Sequence, residues 1–225
     1  MSKFYVVATP IGNMEDMTFR AILTLKEVSL ILCEDTRVTK KLLSKYEIGT
    51  KVMSYHEHST LSKIEDIIKI LEDGKDIAMV SDAGTPAISD PGSFLVTKIR
   101  EHFKDEVQIV PIPGASALTT ILSVSGMPST DFTFLGFLPH KKGRQTLFRE
   151  IADSERTYVF YESPHRILKS LEALVGLAPK RKVFIGREMT KMFEEFISGT
   201  AQEALDFIKT DLNHERGEFA VVVFP

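Results

Sequence analysis

The groups able to move a proton gather in three short segments. Glu34, Asp35 and Arg37 follow one apolar run, Glu162, His165 and Arg166 follow another, and Glu188, Lys191, Glu194 and Glu195 interrupt a third. A carboxylate in an apolar wall, or a lysine held near other cations, can be shifted toward neutral pH, which suits general-base work, although sequence alone does not show the shift. Glu188 is therefore the first candidate for a proton acceptor, Lys191 for the group that tunes it, and Glu162 comes next. Each has a plain structural alternative: Asp35 as a helix cap, Arg166 as the partner of Glu162, Glu194 as a solvated strand face. His56 and His58 flank Glu57 like a ligand pair, but no Cys-rich or HExxH context accompanies them and no metal site is expected.

A second set of residues could hold a ligand. Three loops, TPIGN at 9–13, SDAGTP at 81–86 and PIPGAS at 111–116, each follow an apolar run of strand character. In open α/β sheets ligands bind beyond the carboxyl ends of the strands, and small residues there let the ligand meet the backbone directly. One such loop is ordinarily just a turn; three together, one carrying an acid, favour a ligand site. GxGxxG does not follow the first strand and GxxxxGK[ST] is absent, so the common phosphate cradles are missing and a ligand without phosphates suits the chain better.

The elements that must position these groups alternate from the start. Strands are expected at 4–8, 30–33, 77–81 and 107–110, with helices at 18–28, 35–46, 62–71, 94–103 and 115–125, the pattern of a mostly parallel sheet covered on both faces. The character changes near Gly126-Met127-Pro128. Beyond it come strands at 132–137, 157–161, 182–187, about 193–198 and 219–224, with a helix after the basic stretch His140-Lys141-Lys142-Gly143-Arg144 and another at 164–175. Two α/β domains are expected, 1–125 and 126–225, the second with more antiparallel content.

The 225 residues are 43% hydrophobic and 26% charged, an ordinary globular balance. Cys33 is the lone cysteine, which suits a reducing cytoplasm. The N-terminal apolar stretch is too short for a signal sequence, and no apolar run approaches the roughly 20 residues of a membrane span. A net charge of −3 argues against a whole-surface nucleic-acid binder and leaves room for a local basic groove. The basic clusters are 37–41, 140–144 and 180–182.

The strings VATPIGNMEDMTFRA, CEDTR, SYHEH, VSDAGTPAISDPG, PIPGASA, GFLPHKKG, FYESPHR and REMTKMFEE occur in that order over nearly the whole chain. Together they resemble the bacterial small-subunit ribosomal RNA methyltransferases that act on the 2'-hydroxyl of a decoding-centre cytidine, within the tetrapyrrole-methylase-like class. The corrin methylases of that class carry a shorter Gly-Asp-Pro loop in place of VSDAGTPAISDPG. The resemblance implies two α/β domains with S-adenosylmethionine folded in the cleft between them, usually in a homodimer. It assigns the cofactor to Pro10 and Gly12, to Asp82, Ala83, Gly84, Thr85 and Ile88, and to Gly114, Ala115, Ser116 and Ala117, with Leu135 and Gly136 closing over it. The substrate is then small-subunit ribosomal RNA in the assembled 30S particle, met by Arg37, Lys141, Lys142, Arg144, His165 and Arg166, with Tyr55 or Tyr161 as stacking partners for a flipped base. The family commonly carries a further C-terminal helical segment, whereas this sequence ends at Pro225. Two other readings compete. A corrin-type tetrapyrrole methyltransferase would need neither HKKGR nor the long SDAGTP loop. A non-catalytic cofactor- or RNA-binding module would leave the charges of 187–195 unexplained.

Overall fold

The computed structural model describes residues 1–56, 60–90, 92–126 and 131–225. The chain forms two compact units, Met1–Ser116 and Ala117–Pro225. Glu57, His58 and the Met127-Pro128 junction lie outside the described residues.

The first unit runs β1 (Lys3–Val7), α1 (Phe19–Glu27), β2 (Leu30–Cys33), α2 (Thr36–Lys45), β3 (Val52–Ser54), α3 (Leu61–Glu72), β4 (Ile77–Met79), α4 (Ser93–Phe103) and β5 (Gln108–Ile112). All five strands are parallel, in the order β3-β2-β4-β1-β5. Side chains alternate between the faces of a strand, and here both faces are buried. Phe4, Leu32, Ile77 and Met79 pack toward α3 and α4 through Ile67, Leu71, Leu95 and Ile99. Val7, Ile31, Cys33 and Ala78 pack toward α1 and α2 through Ala21, Leu25, Leu42 and Leu43. Thr18 starts α1 by accepting the Ala21 amide at 3.1 Å.

The second unit runs α5 (Ala117–Val124), β6 (Phe132–Phe137), α6 (Arg144–Asp153), β7 (Thr157–Glu162), α7 (Ile167–Leu177), β8 (Lys182–Arg187), β9 (Glu195–Thr200), α8 (Ala201–Lys209) and β10 (Phe219–Val223). Its sheet has the order β6-β7-β10-β8-β9, with β6 parallel to β7 and the other pairings antiparallel. Helices α6, α7 and α8 cover one face through Phe148, Leu171, Leu174, Leu205 and Ile208. Helix α5 packs on the other, its Ile121 against Val159, Ala220 and Val222. That packing puts residues 117–124 with the second unit, where the sequence reading placed them at the end of the first.

Strand β3 and helix α8 were not anticipated. Strand β3 has three half-buried residues and little apolar signal. Helix α8 opens on a capping box in which Thr200 and Glu203 exchange hydrogen bonds. The segment expected as helix from Pro164 begins only at Ile167, because Glu162 and Arg166 draw residues 163–166 into a turn.

Candidate functional site

In the first sheet β1 lies between β4 and β5, so the loops leaving these three strands emerge side by side. Thr9 and Gly84 exchange backbone hydrogen bonds of 2.9 and 3.1 Å. The Thr85 hydroxyl donates to the Ala115 carbonyl at 3.2 Å, tying the second loop to the third. Gly84 has φ +82, and a Cβ there would sit 3.3 Å from Ile11 Cγ2. A Cβ on Gly114 would sit 3.0 Å from that of Ala8. At both positions a side chain would crowd the space where the loops meet. Pro10, Gly12, Asp82, Ala83, Gly84, Thr85, Ile88, Gly114, Ala115 and Ser116 thus share one end of the first sheet. Ala117, Leu135 and Gly136 belong to the second unit, the first opening α5 and the others lying in β6 where its pairing with β7 shifts register.

Acids collect at the same end of the first sheet. Burial, with Glu34 and Asp82 nearby, pushes the Asp90 carboxyl up to about 6. Glu34 is raised by burial and by Asp82. Asp35 goes the other way, held at about 2 by hydrogen bonds from the Arg37 guanidinium and amide. Asp35 caps α2 and Arg37 serves it, although Arg37 remains largely exposed. A ligand carrying positive charge would relieve this repulsion.

In the second unit the YESPHR segment and Arg144 form one buried knot. Glu162 is fully enclosed. Its Oε1 accepts Arg166 Nη2 at 2.8 Å and the Ser163 amide at 3.0 Å. Its Oε2 accepts Arg144 Nη2 at 3.2 Å and the Ser170 hydroxyl at 2.6 Å. The guanidiniums also hold the chain between them, Arg144 donating to the Pro139 carbonyl at 3.2 Å and Arg166 to that of Leu138 at 2.8 Å. All the carboxylate's strong acceptor positions are in use, which suits holding the 138–144 loop in place better than taking a substrate proton. Arg144 and Arg166 are engaged in the same knot, while Lys141, Lys142 and His165 are exposed. Ser170, on the apolar face of α7, was not singled out in the sequence; a serine in a run of buried leucines is the signal that points to it.

Glu188 and Lys191 also meet, but not as a base near neutrality. Lys191 Nζ lies 2.8 Å from Glu188 Oε1 and 2.9 Å from Glu218 Oε2. Burial pushes the Glu188 carboxyl up, yet the Lys191 ammonium and the Glu218 amide outweigh it and hold the group below its usual value. Burial likewise works against the Lys191 charge, and its two carboxylate partners raise it above the ordinary value. Each ion thus stabilises the charged form of the other. Gly217, at φ +98, lies so close to Glu188 that a Cβ would come within 2.7 Å of Cδ. Of the stacking candidates, Tyr55 is 4% exposed, and Tyr161 packs edge-on against Phe134 and Phe137. Both serve the core.

The family described as Tetrapyrrole (Corrin/Porphyrin) Methylases matches residues 3–205. The chain belongs to this family. Within it the sequence is 48% identical over 220 residues to a protein of Halalkalibacterium halodurans named ribosomal RNA small subunit methyltransferase I, covering 97% of this chain and 74% of that one. A protein of the same name from Thermotoga maritima is 44% identical over 223 residues, covering 99% and 98%, and one from Bacillus subtilis is 47% identical over 225 residues, covering 99% and 75%. Among solved structures, the methyltransferase CobJ superposes with TM-score 0.71 at 18% identity, covering 100% of this chain and 94% of that one. Uroporphyrin-III C-methyl transferase from Thermus thermophilus, complexed with S-adenyl homocysteine, gives 0.65 at 17% identity, covering 100% and 97%. These family members carry the same α/β fold at low identity.

Proposed function

We propose that this chain is an S-adenosylmethionine-dependent methyltransferase of small-subunit ribosomal RNA, acting on the ribose 2'-hydroxyl of a cytidine in the decoding centre. The observation that carries the cofactor half is the convergence of three small-residue loops, without a phosphate cradle, beside a group of carboxylates. The cradle fits S-adenosylmethionine: no phosphate has to be bound, and acids suit a sulfonium and an ammonium. Identity of 44–48% to the methyltransferases named above supports the RNA half.

When bound, the cofactor supplies an electrophilic methyl group. In the first unit, residues 10–12, 82–88 and 114–116 would hold it. The chain's main contribution is alignment of the hydroxyl for in-line attack, which supplies several kcal/mol through proximity. Glu188 is the proposed proton acceptor and Lys191 its partner; the low basicity of that carboxylate leaves alignment as the larger share. Glu162 positions the 138–144 loop, whose Lys141 and Lys142 meet phosphates. The working state is a homodimer acting on the 30S particle in the cytoplasm.

Ribosomal RNA from a strain lacking the protein, mapped by mass, should lose one ribose methylation. Purified protein should restore it on 30S particles and work poorly on naked RNA. Intact methylation in the deletion strain would refute the proposal, and equal activity on both substrates would refute the requirement for the assembled particle.

A further inference from the structure

Within the second unit, the turn after β8 and the segment before β10 line a half-open cavity of about 730 Å³. Its size is that of a small-molecule or nucleotide site. Arg187, itself almost buried, pins both lips: its guanidinium donates to the carbonyls of Phe193 at 3.2 Å, Asn213 at 2.7 Å and Arg216 at 2.9 Å. The turn is strained as well as pinned. Glu188 and Thr190 both lie in the left-handed region, at φ 50 and φ 67, a conformation costly for residues with a side chain. This framework holds two large apolar side chains out to solvent, Met192 at 90% and Phe193 at 68% exposure. Packing does not require them there, since neither belongs to a buried core cluster.

The polar wall of the cavity decides what can lie against Phe193. The wall is mixed: Glu188, Glu194 and Glu195 line it beside Arg187, His214 and Arg216, but Glu188 is paired with Lys191 and Glu195 with Arg187, which leaves Glu194 as the carboxylate next to Phe193 outside these ion pairs. Glu194 is held by the Thr190 amide, 2.6 Å from its Oε2, which leaves Oε1 to accept. Beside the Phe193 ring, Glu194 therefore offers an acceptor to an N–H donor. A flat ring with an exocyclic amine satisfies both features, and a carboxylate accepting from a base amino group is a standard mode of base readout. We propose that this cavity takes an amino-bearing base of the substrate RNA, cytosine in the first instance, stacked on Phe193 with its amino group donating to Glu194. The inference rests on the RNA reading above and adds the part of the second unit that recognises a base out of its stack.

The test uses the full chain with 30S particles and, separately, cytidine and uridine as free probes. Phe193→Leu keeps apolar bulk and removes the ring; it should raise the KM for 30S particles roughly tenfold, as loss of one base–aromatic stack does. Phe193→Tyr should stay within about twofold of the parent. Glu194→Gln should raise KM by about threefold or more. All three should keep the affinity for S-adenosylmethionine and the salt dependence of RNA binding. Saturation-transfer NMR should show cytidine in contact with the parent protein, uridine less so, and neither with Phe193→Leu. The proposal is overturned if Phe193→Leu leaves KM unchanged, if it weakens the cofactor instead, or if its salt slope falls, which would mean phosphate contact. Should the parent protein not methylate 30S particles at all, the RNA reading falls, and the cytidine spectra alone decide the cavity.

Discussion

Replacing Glu162 by Gln separates a structural carboxylate from a catalytic one. The side chain is fully enclosed between two guanidiniums that are themselves about 15% exposed, at 2.8 and 3.2 Å. The amide keeps the shape but removes the charge, leaving Arg144 and Arg166 to face each other across a neutral group. Removing one partner of a buried ion pair costs about 3–5 kcal/mol, because the surviving charge stays desolvated. The retained hydrogen bonds, with Ser170 turning its hydroxyl toward the amide oxygen, return part of that, so a loss of about 3 kcal/mol is expected. For a cooperative unit of about a hundred residues this lowers the melting midpoint by about 10 °C or more. Urea unfolding of parent and variant measures the loss, and calorimetry with S-adenosylmethionine on the folded variant checks that the first unit is untouched. Single-turnover methyl transfer at saturating substrate should fall far less than the 10²-fold or more expected for a lost general base. A variant as stable as the parent but a hundredfold slower would refute the positioning role and make Glu162 the proton acceptor.

Three further outcomes follow from the same geometry. Gly114→Arg should abolish S-adenosylmethionine binding, since even a Cβ there meets Ala8 at 3.0 Å; calorimetry on a folded variant with unchanged affinity would refute the placement. The Asp90 carboxyl titrates near 6 folded against its usual 3.8, so the folded state holds the extra proton. Stability from this group is present below about pH 4, declines as pH rises through about 6, and is level above; Asp90→Asn should therefore raise the melting midpoint at pH 7.5 and not at pH 3.5. Gly217→Ala combines a left-handed backbone with a collision against Glu188, and should cost about 1–3 kcal/mol in urea unfolding while loosening the Lys191 contact.

Much of this was legible in the chain. The long apolar runs became strands where expected, and the Gly/Pro loops met because parallel strands deliver all their carboxyl ends to one side. The helix at 201–209 was legible too, through Thr200 and Glu203 and the buried spacing of Ala201, Ala204, Leu205 and Ile208, and reading from strand to strand passed over it. What could not be read was partnership at a distance. Arg166 could be read as the partner of Glu162 four residues before it, but Arg144 looks like a free cation beside RNA-binding lysines until the fold brings it onto the same carboxylate. Lys191 looks like a tuner of Glu188 until Glu218, from far along the chain, takes a share of its charge.

The position of β10 governs the order in which the molecule can be made. Its five residues are buried throughout and sit between β7 and β8, so neither neighbour has its inner partner until residues 219–223 have been synthesised. The first sheet gains its last strand at 108–112. On the ribosome, then, every strand of the first sheet is made before the second sheet can be completed, and the inner edges of β7 and β8 stay without their native partner until the final strand is synthesised.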